Sequence, residues 1–117
     1  MSSPDVLFIL TAEQAANAMS CAGSSALHTA AMDRIAAAGV RLQRSYCTQP
    51  LCVPSRASLV TGRFPHEVGV PWNLHAHACA TARQHRGLGT IMAEAGYGTA
   101  RVGEWHLPVE GEAVDGP

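Results

Sequence analysis

The sequence predicts an α/β fold, with a mainly parallel sheet held between helices. Three observations carry that expectation. Val6-Leu7-Phe8-Ile9-Leu10 is a continuous apolar run bounded by Pro4 and Thr11, the pattern of a strand buried on both faces. Residues 27–38 set apolar side chains at helical spacing and stop at Gly39, a helix with a clear C-terminal signal. Residues 88–95 repeat that pattern up to Gly96, and residues 97–105 then read as a further strand.

The remaining segments fall between these. Residues 15–25 are small and polar, a loop holding a short helical piece. Residues 40–46 alternate in polarity and predict a strand, or extended chain leading toward Cys52. Residues 54–61 predict a helix ended by Gly62, with Pro54 in the first turn, where a missing N–H is harmless. Pro65, Gly69 and Pro71 make residues 64–86 a long irregular connection. Residues 108–117 are acidic and glycine-containing, and predict a disordered tail. Only two or three strands are present. Parallel strands need cover on both faces, so the chain by itself is expected to be marginal, with exposed sheet edges.

Composition narrows the function. The 117 residues suffice for one small domain. A formal net charge of -1 gives no footprint for nucleic acid or an acidic membrane surface. All the basic residues are arginine, so no lysine is available for any site. Cys21, Cys47, Cys52 and Cys79 form neither a metal-type pair nor a dense disulfide framework. No apolar run approaches membrane-spanning length. Met1-Ser2-Ser3-Pro4-Asp5 lacks the basic start of a signal peptide, so a cytoplasmic location is expected.

The most informative stretch is Cys52-Val53-Pro54-Ser55-Arg56-Ala57-Ser58-Leu59-Val60-Thr61-Gly62-Arg63. A tyrosine-phosphatase loop is excluded, because it places arginine at the sixth position after its cysteine, where this chain has Ser58. The run resembles the signature of the sulfatase family. Further segments extend the resemblance over most of the chain: residues 5–11, Met32-Asp33-Arg34-Ile35, Phe64-Pro65-His66-Glu67, residues 88–97, and Val102-Gly103-Glu104-Trp105-His106-Leu107. The resemblance implies an alkaline-phosphatase-like sandwich, of which residues 1–107 would form the N-terminal part and the C-terminal portion would be missing. It also implies that Cys52 is oxidised to formylglycine by a formylglycine-generating enzyme, with Ser55 and Arg56 in the recognition signal. The hydrated aldehyde would attack the sulfur of a small sulfate ester, splitting one hard step into two. A helix beginning near Pro54 would turn its N–H groups and positive end toward residue 52, where the sulfate would lie. Arg56, one turn along, would supply a fixed cation.

Departures from the family pattern are as informative. The family follows its first strand with two metal-binding aspartates, where this chain has Ala12 and Glu13. Calcium requires a cage of hard oxygen ligands, and alanine supplies none. Glu13 reads equally as a ligand with a longer arm or a solvated loop carboxylate, and the resemblance implies that residue 52 is the other metal-binding residue in this chain. Further family ligands would lie beyond Pro117. Where the family has Gly-Lys-Trp-His, this chain reads Gly103-Glu104-Trp105-His106. At ~4 Å and an effective dielectric of about 20, exchanging cation for anion beside a sulfate shifts the interaction by several kcal/mol. His106 is the family's acid or base at that position, or else a surface histidine after tryptophan.

His75-Ala76-His77-Ala78-Cys79 lies outside the family pattern. On an extended strand these side chains share one face and could meet a soft metal; in an irregular loop they are incidental. His66 reads as a pocket residue or as a loop histidine bonded to backbone. Taken together, the sequence predicts a truncated, partly degenerate sulfuric ester hydrolase, with Cys52, Arg56 and His106 as catalytic residues and Glu13 and Cys52 toward calcium. By itself the chain is expected to be weakly active or inactive. The alternatives are a non-catalytic remnant that binds a partner, and a phosphonate or phosphate ester hydrolase of the same superfamily.

Overall fold

Glycines and a threonine set the ends of the helices. The computed structural model describes residues 3–73 and 85–107, and within them three α-helices form: α1 (Ala30–Ala38), α2 (Cys52–Thr61) and α3 (Leu88–Glu94). A short 3-10 turn, Ser20–Ala22, is the helical piece expected in the 15–25 loop. The chain divides into two units, Met1–Ser45 and Tyr46–Pro117.

In the first unit, α1 starts three residues later than its apolar pattern, because Thr29 takes the N-cap position. A ring of hydrogen bonds ties this end to the 3-10 turn. Asp33 Oδ2 accepts from Ser20 Oγ at 2.7 Å, and its Oδ1 accepts from the Cys21 amide at 2.8 Å. The Ser20 amide donates to Thr29 Oγ1 and the Thr29 amide to Ser20 Oγ, both at 2.9 Å. These bonds hold the Asp33 carboxyl below its ordinary range, the Ser20 hydroxyl contributing most, against a smaller opposing effect of desolvation.

In the second unit, α2 begins at Cys52, two residues before the expected start, so Pro54 sits inside the first turn. Its end is as expected: Gly62 adopts φ 68° and its amide bonds Ser58 O at 2.7 Å. Helix α3 closes in a Schellman pattern, with Gly96 N–H on Ala93 O and Tyr97 N–H on Met92 O. The helices α2 and α3 pack together where Gly87 meets Val60; a Cβ at Gly87 would come within 3.0 Å of Val60 Cγ1. Val53 and Ala57 of α2 bury against Val68 and Val70, and Leu107 covers that cluster. The turn carrying Val68 and Val70 is closed by the Val70 amide on Pro65 O at 2.8 Å and by the Phe64 amide on Glu67 Oε2, also at 2.8 Å.

The expected sheet does not form among the described residues. Residues 6–10, 40–46 and 97–105 make no strand ladder. Apolar pattern specifies which faces a strand would bury, but a strand exists only when a neighbour completes its hydrogen bonds. None does so here, and Val6 to Leu10 stay 52–85% exposed. No described helix is long and apolar enough to cross a membrane. The expected tail at 108–117 and the His75, His77, Cys79 tract lie outside the described residues.

Candidate active site

Cys52 is the first residue of α2, a half-buried free thiol. The positive end of the helix is at this residue, as expected, but its amides are not all open to a ligand. The Val53 N–H donates to Asn73 Oδ1 at 3.0 Å, Pro54 has no N–H, and the Ser55 N–H begins the helix ladder on Leu51 O at 2.9 Å. Asn73 therefore caps the helix from a position 20 residues along the chain. Sequence reasoning missed it, since no local pattern links an asparagine in a connection to a helix terminus that remote.

Arg56 lies one turn into α2 with its side chain only 13% exposed. Its Nη2 donates to Glu104 Oε2 at 2.7 Å, and its Nη1 donates to the main-chain oxygens of Glu104 and Trp105 at 3.0 and 3.5 Å. The other Glu104 oxygen, Oε1, is 3.5 Å from His106 Nδ1. The arrangement thus joins Arg56 and His106 through the carboxylate of Glu104. The sequence marked Glu104 as a charge opposed to substrate and did not reveal that its partner is Arg56. Opposite charge in two motif segments of one site was the available signal.

Two glycine-type conformations shape the loop that delivers these groups. Gly103 adopts φ 96°, and His106 adopts φ 53°. A left-handed histidine is strained by about 1 kcal/mol and persists only where surrounding contacts impose it. Here the contacts are Leu107 on the α2 core, the Arg56 bonds to Glu104 and Trp105, and Arg101, whose guanidinium lies 4.9 Å above the Trp105 ring. Arg101 Nη1 also bonds Gly103 O at 3.2 Å.

His66 is exposed and stacks on Phe64 with ring centroids 5.7 Å apart, which makes it a residue of the turn. A shallow open depression of about 180 Å³ is lined by Tyr46, Cys47, Thr48, Ser55, Ser58 and Leu59, and none of Cys52, Arg56 or His106 contributes to it.

The residues present do not fit a calcium cage. Ala12 offers no ligand, and Glu13 is an exposed carboxylate in the first unit with φ 55°. Among the described residues no three His, Cys, Asp or Glu side chains gather to hold a metal.

Comparison with known proteins gives one consistent result. A family model described as Sulfatase matches residues 4–112. The chain is 37% identical over 112 residues to an N-acetylglucosamine-6-O-sulfatase of Bacteroides thetaiotaomicron, covering 96% of this chain and 19% of that protein. It is 36% identical to an uncharacterized sulfatase of Escherichia coli, covering 92% of this chain and 21% of that protein. Human steryl-sulfatase is 32% identical, with 91% of this chain and 19% of that protein covered. The chain therefore spans about a fifth of the length of the curated relatives it matches. No solved structure matches it significantly.

Proposed function

The chain belongs to the sulfatase family, and on that premise we propose that it is the nucleophile-bearing part of a sulfuric ester hydrolase domain. The observation that carries the reading is Cys52-Val53-Pro54-Ser55-Arg56 at the start of α2, with thiol and guanidinium one helical turn apart. Formylglycine made from Cys52 would supply, once hydrated, an oxygen nucleophile for the sulfur of a sulfate ester. The site fits that group: Cys52 is unpaired, partly accessible, and seated at the positive end of a helix whose Val53 amide is pinned by Asn73. Arg56 serves as the cation facing ester oxygens, fixed in place by two backbone carbonyls. His106, beside Glu104, is positioned to hold or release a proton at Nδ1. Calcium does not fit the residues present, and no step is assigned to it.

A second reading is favoured by Ala12 and by the Arg56–Glu104 pair: the chain retains the family's framework and, alone, does not turn over substrate. One experiment separates these readings. The chain is co-expressed with a formylglycine-generating enzyme, the peptide holding Cys52 is weighed, and aryl sulfate hydrolysis is compared with Cys52→Ala. The expected outcome is conversion of Cys52 with hydrolysis no faster than the blank. Unmodified Cys52 beside a fully converted control sulfatase overturns the nucleophile assignment. Turnover well above the blank overturns the non-catalytic reading of the isolated chain.

A further inference from the structure

We propose that Glu104 is a built-in, displaceable anion that occupies the Arg56 guanidinium, so that an incoming oxyanion must expel its carboxylate before reaching the site. The inference deepens the reading of Arg56 as the group facing substrate oxygens, and rests on it.

The geometry is that of a bound ligand supplied by the chain itself. Oε2 accepts a hydrogen bond from Nη2 at the short distance of a charge-assisted bond, 2.7 Å, while Oε1 turns toward His106 Nδ1 at 3.5 Å. Two oxygens on one atom, shared between a guanidinium and an imidazole, copy what an edge of a sulfate group would present.

The two partners are unequally held. The Arg56 side chain is 13% exposed and its Nη1 rests on the carbonyls of Glu104 and Trp105, contacts that do not depend on the carboxylate. The Glu104 side chain is 59% exposed. Rotation about its own bonds carries the carboxylate into water while the guanidinium stays where it is, leaving Nη2 open. The arginine is the seat and the glutamate its movable occupant. With its carboxylate side open to water, the pair is screened and worth little, so displacement by an oxyanion is within reach, yet the competition weakens anion binding at every concentration. Loss of the negative charge should tighten binding about three- to fivefold.

The test uses the full 117-residue chain and inorganic sulfate as the probe, with chloride at matched ionic strength as the control. In the unaltered protein, NMR should show the Glu104 side-chain carboxyl carbon shifting together with the Arg56 guanidinium signals as sulfate saturates. Glu104→Gln should bind sulfate about three- to fivefold more tightly, and adding Arg56→Gln should abolish that gain. A Glu104 carboxyl signal that stays still at saturating sulfate overturns the proposal without recourse to any variant. So does an equal response to chloride, or a Glu104→Gln protein that binds no more tightly. Because sulfate binding is read without turnover and without formylglycine, its failure is distinct from failure of the hydrolase reading.

Discussion

Asn73 shows how much of a site can hang on one side chain far away in sequence. Val53 is 4% exposed, and Asn73 Oδ1, on an exposed residue, is the acceptor that holds its amide at the helix start. Asn73→Ala should destabilise the second unit by about 1 kcal/mol, the cost of losing a side-chain acceptor at a helix N-terminus. The check is urea unfolding of the two proteins followed by far-ultraviolet circular dichroism; an unchanged midpoint would mean that the amide finds another acceptor. At this scale legibility followed distance along the chain. Cys52, Pro54 and Arg56 lie within one turn, so their spacing was visible in the sequence and carried the resemblance to the family motif. Asn73 and the partner of Glu104 arise from contacts across 20 and 48 residues, which no local spacing encodes.

Helices were readable because their instructions are local. Gly62 and Gly96 end α2 and α3 in the left-handed conformation for which glycine is suited, with φ 68° and 88°. The start of α1 was misplaced because Thr29 and Asp33 reach back to Ser20 and Cys21, an arrangement that stops the helix where periodicity would continue it. That ring has a pH signature. The Asp33 carboxyl is lowered in the folded state. Its contribution is therefore fully present above the ordinary carboxylate range and is lost as pH falls through the lowered folded value. Acid titration of the helical signal should show this loss for the unaltered chain. Asp33→Asn should be weaker at neutral pH and lack that acid step. An identical acid profile in both proteins would assign the transition to other carboxylates. The strands were the opposite case. Residues 6–10 satisfy every local criterion, yet pairing is supplied from elsewhere or not at all.

For the molecule as a whole, the consequence is that large apolar side chains stand open to water among the described residues. Val6, Leu7, Phe8, Ile9, Val40, Leu42, Tyr46 and Val102 are each more than half exposed, and among the described residues the buried hydrophobic core is Val53, Ala57, Val68 and Val70. Apolar exposure of this extent marks surfaces that associate. The isolated chain should self-associate with rising concentration and enhance the fluorescence of a dye that binds apolar surface, as measured by light scattering and dye titration. Mutating Phe8 and Ile9 to serine should reduce both signals; a monomer silent to the dye at every concentration would contradict the exposure described.

The stacking of Arg101 on Trp105 has a practical consequence. Trp105 contributes its carbonyl to Arg56 and its ring to Arg101, so the indole is an optical gauge attached to the loop that carries Glu104 and His106. The second tryptophan, Trp72, is 60% exposed and should emit as a solvated indole. Replacing Trp72 with phenylalanine leaves a single emitter, whose colour and intensity follow the loop in real time and without any added label.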